Sequence, residues 1–174
     1  MKVCVVGGTG LISLSIVRVL LELGHDVTCF NRGVSPGLPD GVRLIQGDRT
    51  DEAFFEQTMQ RECFDAAIDM ICFNADQARS DVRAFRDAGH VIMCSTVCTY
   101  GVPYRWLPVT EDHPLQPTLL YGRNKMSADI GASTARISAS SCSDSSICVS
   151  SSASRRGNCS SKASPPSSSS AVPT

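Results

Sequence analysis

The sequence has almost no net charge and few aromatic side chains. Its 16 basic and 17 acidic residues give a formal net charge of −1, and aromatic residues make up 6% of the 174 positions. A protein that binds nucleic acid ordinarily presents a basic surface on which aromatic side chains alternate with lysine and arginine. The composition therefore predicts no nucleic-acid partner, and the single Arg155-Arg156 pair does not alter that prediction.

The features of membrane-bound and secreted proteins are also missing. No apolar run approaches the length needed to cross a bilayer, and no leader peptide is visible ahead of the first strand-like run. We therefore expect a cytoplasmic protein that makes no contact with a membrane.

The nine cysteines occur without a CxxC motif or a paired Cys/His spacing, which argues against a metal site. Several of them, Cys4, Cys29, Cys72 and Cys94, lie inside apolar strand-like runs. In a cytoplasmic protein such cysteines behave as small apolar core residues. We expect these thiols to be reduced and buried, and we expect no metal cofactor.

The segment KVCVVGGTGLISLSIVRVLLELG, residues 2–24, contains the most informative pattern in the chain. A β-branched apolar run predicts a buried strand at residues 3–6, and helical spacing of apolar residues predicts a helix that ends before Gly24. Glycines between them let the backbone approach a ligand, and the start of the helix attracts an anion. This arrangement predicts a site for the pyrophosphate of a dinucleotide, with Ser13 as the third small residue. The residues predicted to bind the cofactor at this turn are Gly7, Gly8, Thr9, Gly10, Leu11 and Ile12.

Strand-like and helix-like segments alternate after this turn. Further strands are predicted at residues 25–31, 42–46, 64–71 and 90–95, and helices at residues 52–61 and 74–88. Alternation of this kind is typical of a parallel sheet covered by helices on both faces. The sequence therefore predicts an α/β fold with a doubly wound parallel sheet of the Rossmann type, in a cofactor-binding domain at residues 1–132.

The end of the predicted second strand bears on the choice of cofactor. In dinucleotide folds an acidic residue at this position binds the 2′-hydroxyl of NAD, and an arginine binds the 2′-phosphate of NADP. The chain has Asn31-Arg32-Gly33 there. We predict that Asn31 and Arg32 contact the cofactor, which is NAD or NADP, with Arg32 favouring NADP. A solvated arginine in a turn is the alternative.

A second polar pair follows the predicted third strand, in the string GDRTD. Asp48, at the end of this strand, is placed to accept a hydrogen bond from the adenine amino group, and Arg49 beside it is included in the predicted cofactor site. The alternative role of Asp48 is to cap the following helix, a role for which Thr50 or Asp51 is better placed.

Tyr121 and Lys125 are four residues apart near the start of a predicted helix, and they therefore lie on one face of it. A free tyrosine has a pKa of about 10, so acid–base chemistry near neutral pH requires stabilisation of the phenolate. A lysine ammonium, together with a positively charged nicotinamide ring, provides that stabilisation in a partly dry site. The pair is a candidate acid–base centre, and the start of a surface helix is the alternative interpretation.

The strings GGTGLIS, GDRTD, CSTVCTYG and YGRNK occur in the order and spacing of the extended short-chain dehydrogenase/reductases. Residues 1–132 resemble the N-terminal portion of the NAD-dependent epimerase/dehydratase branch of that family. The resemblance implies that Tyr121 is the catalytic acid/base, and that Lys125 lowers its pKa and binds the nicotinamide ribose. It also implies that Thr96 hydrogen-bonds the reacting oxygen, with the neighbouring Ser95 as the alternative.

The same resemblance implies an NAD(P)-dependent oxidoreductase that acts on a hydroxyl of a nucleotide-sugar-like substrate, as epimerases and dehydratases do. A homodimer is usual in the family and is expected here. Two other hypotheses stay open. One is a non-catalytic module that binds NAD(P), and the other is an inactive, truncated fragment.

The composition changes abruptly at residue 133. From there to residue 174 serine is by far the commonest residue, and neither helical nor strand periodicity is present. Such a segment offers too little apolar surface to offset the entropy of ordering, so we predict disorder. It also resembles no further part of the family, which predicts a sheet truncated after about five strands with an open edge at the fifth. A disrupted reading frame and a native serine-rich linker both remain as explanations.

Overall fold

The computed structural model describes residues 1–34, 37–134 and 149–153. Within these ranges no helix is both long and apolar enough to cross a membrane. A short 3₁₀ helix at Val97–Tyr100 precedes the last helix. The strands are β1 (Lys2–Val6), β2 (Asp26–Asn31), β3 (Arg43–Gln46), β4 (Ala66–Asp69), β5 (His90–Cys94) and β6 (Val149–Ala153). The helices are α1 (Leu11–Glu22), α2 (Glu52–Glu62), α3 (Ala75–Ala84) and α4 (Leu120–Thr134).

The sheet is built outward from β1. This strand pairs in parallel with β2 on one side and with β4 on the other. The strand order is β3-β2-β1-β4-β5-β6, and the first five strands in the chain are all parallel. This confirms the predicted doubly wound parallel sheet, with α1 between β1 and β2, α2 between β3 and β4, and α3 between β4 and β5.

The sixth strand comes from the serine-rich segment and differs from the sequence prediction. β6 pairs antiparallel with β5, with His90 opposite Ala153 and Cys94 opposite Val149. The prediction of an open edge at β5 is therefore wrong. Strand pairing uses backbone hydrogen bonds, which a serine-rich strand also supplies, whereas periodicity reports only on side chains. Apart from this strand and residues 133–134, which end α4, the segment predicted to be disordered lies outside the described residues.

Neighbouring residues of β1 point to opposite faces of the sheet and enter different apolar clusters. Cys4 joins a cluster built around Phe55, whose ring lies edge-on to that of Phe30 with 5.1 Å between the ring centres. Val5 joins a second cluster, which includes Val17 of α1. Because both faces of β1 are covered, the strand is apolar from Val3 to Val6 rather than alternating.

The cysteines predicted to be reduced are in the thiol form. Cys4, Cys29 and Cys72 are buried, and Cys94 at the end of β5 is half-buried. Cys4, Cys29 and Cys72 act as small apolar side chains in the core.

Glu62 joins several elements at the amino-terminal edge of the sheet. Its carboxylate accepts hydrogen bonds from the Arg43 guanidinium at 3.0 and 2.5 Å, and from Nζ of Lys2 at 2.9 Å. The hydrogen bonds from Arg43 are the main reason that the pKa of Glu62 falls to about 2. Since Glu62 ends α2 while Lys2 and Arg43 begin β1 and β3, this cluster fixes the helix against two strands.

We expect Glu62→Gln to lower the free energy of unfolding by about 1 kcal/mol near neutral pH, because partly exposed ion pairs contribute modestly. The pKa of Glu62 is about 2 when folded against an ordinary 4.5, so its contribution is present above pH 4.5 and is lost as the pH falls toward 2. Urea unfolding across this pH range measures the difference. Glu22→Gln, at an exposed position of α1, is the control. An effect of Glu62→Gln that is the same at both ends of the range would contradict the assignment.

Candidate functional site

A cavity of about 490 Å³ opens at the carboxyl ends of β1 and β2, beside the loops that follow β3 and β4. This edge is where open parallel sheets bind their ligands. The predicted cofactor-binding residues in the lining are Gly7, Thr9, Gly10, Asn31, Arg32, Asp48 and Arg49. The predicted members outside the lining are Gly8, Leu11, Ile12 and Lys125.

The turn between β1 and α1 requires glycine at two positions. Gly7 has a φ of +84°, and a Cβ there would lie 2.7 Å from Cγ2 of Ile71. A Cβ on Gly8 would collide with Sγ of Cys29 in β2. Gly8 therefore lets the turn pack against the sheet, while Gly7 and Gly10 bring the backbone to the cavity.

Gly10 is the N-cap of α1, and Ser13 completes the cap. Oγ of Ser13 accepts a hydrogen bond from Gly10 N at 2.8 Å and donates one to Gly10 O at 3.1 Å. Leu11 and Ile12 follow in the first turn, where backbone N–H groups have no partner within the helix. These N–H groups and the positive end of the helix suit a diphosphate.

The end of β2 lines the cavity and contains a buried polar group without a partner among the described residues. Oδ1 of Asn31 accepts a hydrogen bond from Gly33 N at 2.8 Å, but the buried Nδ2 has no partner among the described residues. Burial of an unpaired amide donor is costly unless a ligand supplies an acceptor. Arg32 beside it is exposed, and its backbone oxygen accepts a hydrogen bond from Gln46 at 2.9 Å. Together with the glycine turn, this donor and this cation fit a dinucleotide.

Asp48 does not cap α2. Its Oδ1 accepts hydrogen bonds from the backbone N–H and the hydroxyl of Thr50, at 2.8 and 2.7 Å, and both lower the pKa of Asp48. The N-cap is Asp51, whose carboxylate accepts a hydrogen bond from Phe54 N at 3.1 Å. The capping alternative for Asp48 is therefore wrong. Its carboxylate is exposed at the cavity, and the contact with adenine stays a prediction.

Arg49 lines the cavity, but its guanidinium is directed into the protein. The side chain is 4% exposed, and its nitrogens lie 3.3 Å from Asp69 and 2.8 Å from Asp81. It also donates to the backbone oxygen of Gln77 at 2.6 Å and stacks on Phe55, 4.1 Å from the ring centre. The sequence gives no sign of this use, because the two carboxylates are 20 and 32 residues away. A contact of Arg49 with the cofactor stays a prediction.

Asp69, Cys72 and Asp81 place three buried potential metal ligands within 4.8 Å of one another. The Arg49 guanidinium already lies against both carboxylates, and burial raises the pKa of the Cys72 thiol, which disfavours the thiolate. Burial, followed by the neighbouring Asp69, also raises the pKa of Asp81 well above its ordinary value. The donor set therefore favours a proton on Asp81 over a metal ion at this cluster. The absence of a metal cofactor from the protein stays a prediction.

Thr96 and Tyr121 come together beside the end of β5. Thr96 caps the 3₁₀ helix, with its Oγ1 accepting a hydrogen bond from Cys98 N at 3.3 Å, and Tyr121 lies in the first turn of α4. Burial raises the pKa of Tyr121 above its ordinary value, and a hydrogen bond with the Thr96 side chain acts in the opposite direction. In the protein alone Tyr121 therefore keeps its proton at neutral pH. The predicted lowering by Lys125 and a nicotinamide ring stays a prediction.

Lys125 lies one turn further along α4 and is 2% exposed. Its Nζ donates a hydrogen bond to the backbone oxygen of Cys94 at 2.7 Å. Nζ also lies 4.9 Å from the centre of the Phe73 ring, whose centre is 6.4 Å from that of Tyr121. The sequence did not predict a role for Phe73, because Phe73 is brought beside α4 by contacts with residues that are distant in the chain.

Asp129 is a further polar group at this site that the predicted set does not include. It accepts a hydrogen bond from Oγ of Ser95 at 2.6 Å. Burial raises the pKa of Asp129, while Ser95 and the Lys125 ammonium lower it. Asp129 lies four residues after Lys125, and this spacing could have predicted that the two side chains share one face of α4. Since Ser95 bonds to Asp129, Thr96 is the better placed of the two hydroxyls beside Tyr121.

One protein family matches most of the chain. The family described as NAD dependent epimerase/dehydratase matches residues 3–143. The matched range begins in β1 and extends past α4, so it includes the glycine turn and the helix that carries Tyr121 and Lys125.

Two curated proteins align with about three quarters of this chain. The 2′-dehydrokanamycin reductase of Streptomyces kanamyceticus is 34% identical over 130 residues, which are 74% of this chain and 37% of that protein. A UDP-glucose 4-epimerase of Corynebacterium glutamicum is 35% identical over 148 residues, which cover 74% of this chain and 45% of that protein. The chain thus spans less than half the length of the curated relatives it matches.

Among solved structures, the UDP-Glc/GlcNAc 4-epimerase of Campylobacter jejuni superposes with a TM-score of 0.68 and 21% sequence identity. The superposition covers 77% of this chain and 48% of that one. At this identity the likeness shows a shared fold, which agrees with the strand order described above.

We expect Arg49→Leu to lower the free energy of unfolding by about 3–5 kcal/mol, because it leaves two buried acidic groups without a cation. Asp81→Asn keeps the shape of a protonated carboxyl group and is expected to cost about 1 kcal/mol or less. Urea unfolding near neutral pH compares the two with Arg79→Leu, a change at an exposed ion pair of α3. A loss for Asp81→Asn as large as that for Arg49→Leu would show that Asp81 is ionised.

Proposed function

Because the chain belongs to the NAD dependent epimerase/dehydratase family, we propose that it binds NAD or NADP and carries acid–base groups for chemistry at a hydroxyl of a nucleotide sugar. One observation carries the proposal. The glycine turn and the end of β2, where the buried Asn31 amide has no partner among the described residues, line one cavity at the carboxyl edge of the sheet. The pair of Thr96 and Tyr121 lies beside the end of β5, which is separated from β1 by β4.

The cofactor-binding half uses backbone and side-chain groups of the first three strands. Gly7 and Gly10 let the backbone approach the diphosphate, which the first N–H groups of α1 bind. Asn31 and Arg32 hold the adenosine ribose, and Asp48 accepts a hydrogen bond from the adenine amino group. Arg32 favours NADP over NAD, since a guanidinium pairs with a 2′-phosphate.

The acid–base half uses α4 and the end of β5. When bound, the nicotinamide ring supplies reversible hydride transfer. Tyr121 exchanges a proton with the substrate hydroxyl, and Thr96 orients that oxygen. Lys125 binds the nicotinamide ribose and favours the tyrosinate through its positive charge. Because burial raises the pKa of Tyr121 in the protein alone, the phenol becomes a base only when positive charge comes close to it.

A nucleotide sugar is the substrate class that the relatives support. The aligned relative from Corynebacterium glutamicum is named as a UDP-glucose 4-epimerase, and this chain spans 45% of it. We propose the same class of substrate for this chain. A homodimer and a cytoplasmic location both stay predictions.

A second candidate function is a module that binds NAD(P) without catalysis. The observations that favour it are the raised pKa of Tyr121 and the direction of the Lys125 ammonium, which points to Cys94 O and the Phe73 ring. In that case the cavity still binds the cofactor, but Tyr121 never loses its proton.

We expect the full chain to bind NADPH more tightly than NADH, as measured by titration of nicotinamide fluorescence. Arg32→Ala should weaken NADPH binding about tenfold and leave NADH binding within about twofold, since only NADPH carries the 2′-phosphate. Arg18→Ala, at an exposed position of α1, is the control. Equal losses of affinity for the two cofactors would show that Arg32 does not determine the preference for NADPH. Failure of a folded chain to bind either cofactor would refute the cofactor site.

We expect Tyr121→Phe to reduce interconversion of UDP-glucose and UDP-galactose by about 10²–10⁴-fold, the usual contribution of an acid–base group. Cofactor binding should stay within about twofold, because the phenol is not assigned to the cavity. Tyr104→Phe, in the loop before α4, is the matched control. Turnover that survives Tyr121→Phe would refute the acid–base role. Tight cofactor binding without turnover in the unmodified chain would favour the non-catalytic module.

A further inference from the structure

Phe73 lies in the lining of the cavity. The lining also includes the glycine turn and the end of β2, but it does not include Thr96, Tyr121 or Lys125. The Phe73 ring is also in contact with the acid–base side of the site, with its centre 4.9 Å from Nζ of Lys125 and 6.4 Å from the ring centre of Tyr121. One residue therefore belongs both to the cavity lining and to the surroundings of Lys125 and Tyr121.

Lys125 cannot bind a ribose while it keeps its present surroundings. The side chain is 2% exposed, and one of its N–H donors goes to the backbone oxygen of Cys94 at 2.7 Å. The face of the Phe73 ring attracts the remaining positive charge of the ammonium. Because Lys125 is almost fully buried, a ribose hydroxyl reaches its Nζ only if a neighbouring side chain moves, and the half-exposed Phe73 ring is the neighbour that lies over it.

Hydrogen bonds hold the backbone of Phe73, while its ring is partly exposed. Phe73 N donates a hydrogen bond to Oε1 of Gln77 at 2.6 Å, and Gln77 N donates to the side chain of Asn74, the N-cap of α3, at 3.0 Å. The side chain itself is 43% exposed, so another rotamer is reached without opening the apolar core. The loop thus provides a fixed backbone and a ring that can take more than one position.

We propose that Phe73 is a gate between the cofactor cavity and Lys125, and that its ring weakens binding of the nicotinamide half of the cofactor while leaving the adenosine diphosphate half unaffected. This inference rests on the proposed function and adds a specificity-determining residue to it. With the ring over Lys125, the cavity binds adenosine diphosphate and NADH almost equally. With the ring turned away, Lys125 is released to the nicotinamide ribose.

The test compares ADP, which fills only the cavity, with NADH, by isothermal titration of the full chain. We expect Phe73→Ala to tighten NADH binding about tenfold, because the competing cation–π contact is lost, and to change ADP binding by less than about twofold. The gain should be absent when Lys125→Met is combined with Phe73→Ala. Leu44→Ala in β3, a side chain that is also 43% exposed, is the control and should change neither affinity.

Each other outcome has a definite meaning. Weaker binding of NADH by Phe73→Ala would show that the ring supports the nicotinamide half and would overturn the gate. Equal gains for ADP and NADH, or a gain that persists with Lys125→Met, would overturn it as well. ADP binding with no effect of Phe73→Ala would refute the gate and leave the proposed function standing. No binding of ADP by the folded chain would refute the cofactor site itself, and the gate with it.

Discussion

The buried contact of Arg49 with Asp69 and Asp81 sets the floor of the cavity. Arg49 follows β3, Asp69 ends β4 and Asp81 lies in α3, so one guanidinium joins three parts of the fold. Oδ1 of Asp69 also accepts a hydrogen bond from Ile71 N at 2.7 Å, which fixes the loop after β4. The Ile71 side chain lies against Gly7, where a Cβ would be too close. The glycine turn and the loop after β4 therefore both depend on an ion pair whose charges are directed away from the ligand.

Such a buried ion pair is expensive to form, because desolvation of the charges offsets much of their attraction. Three features reduce that cost here. Burial and the neighbouring Asp69 raise the pKa of Asp81, which favours one carboxylate for one guanidinium. The backbone oxygen of Gln77 accepts a further hydrogen bond from Arg49, and the ring of Phe55 covers the guanidinium face. The network is better suited to selecting one arrangement of β4, α3 and the cavity than to adding stability.

The parts of the fold that the sequence predicted correctly are those fixed by neighbouring residues. The apolar run of β1, the glycine turn and the helix that follows lie within residues 2–24, so periodicity and turn chemistry were enough to place them. The roles of Arg49 and Phe73 were missed because each depends on side chains from other elements. β6 was missed because its pairing with β5 uses backbone groups, and hydrophobic periodicity carries no information about backbone pairing.

The two halves of the site differ in how far the protein alone prepares them. At the diphosphate end the turn, the N-cap and the Asn31 amide already have their geometry. At the other end, burial keeps the proton on Tyr121, and the Lys125 ammonium is held by Cys94 O and the Phe73 ring. In the proposed mechanism, movement of the ring releases Lys125 where the positive nicotinamide ring would bind, and both charges would favour the tyrosinate. Binding at this end and loss of the phenol proton are then coupled through one aromatic side chain, and the coupling is reciprocal: deprotonation of Tyr121 must strengthen binding by the same factor.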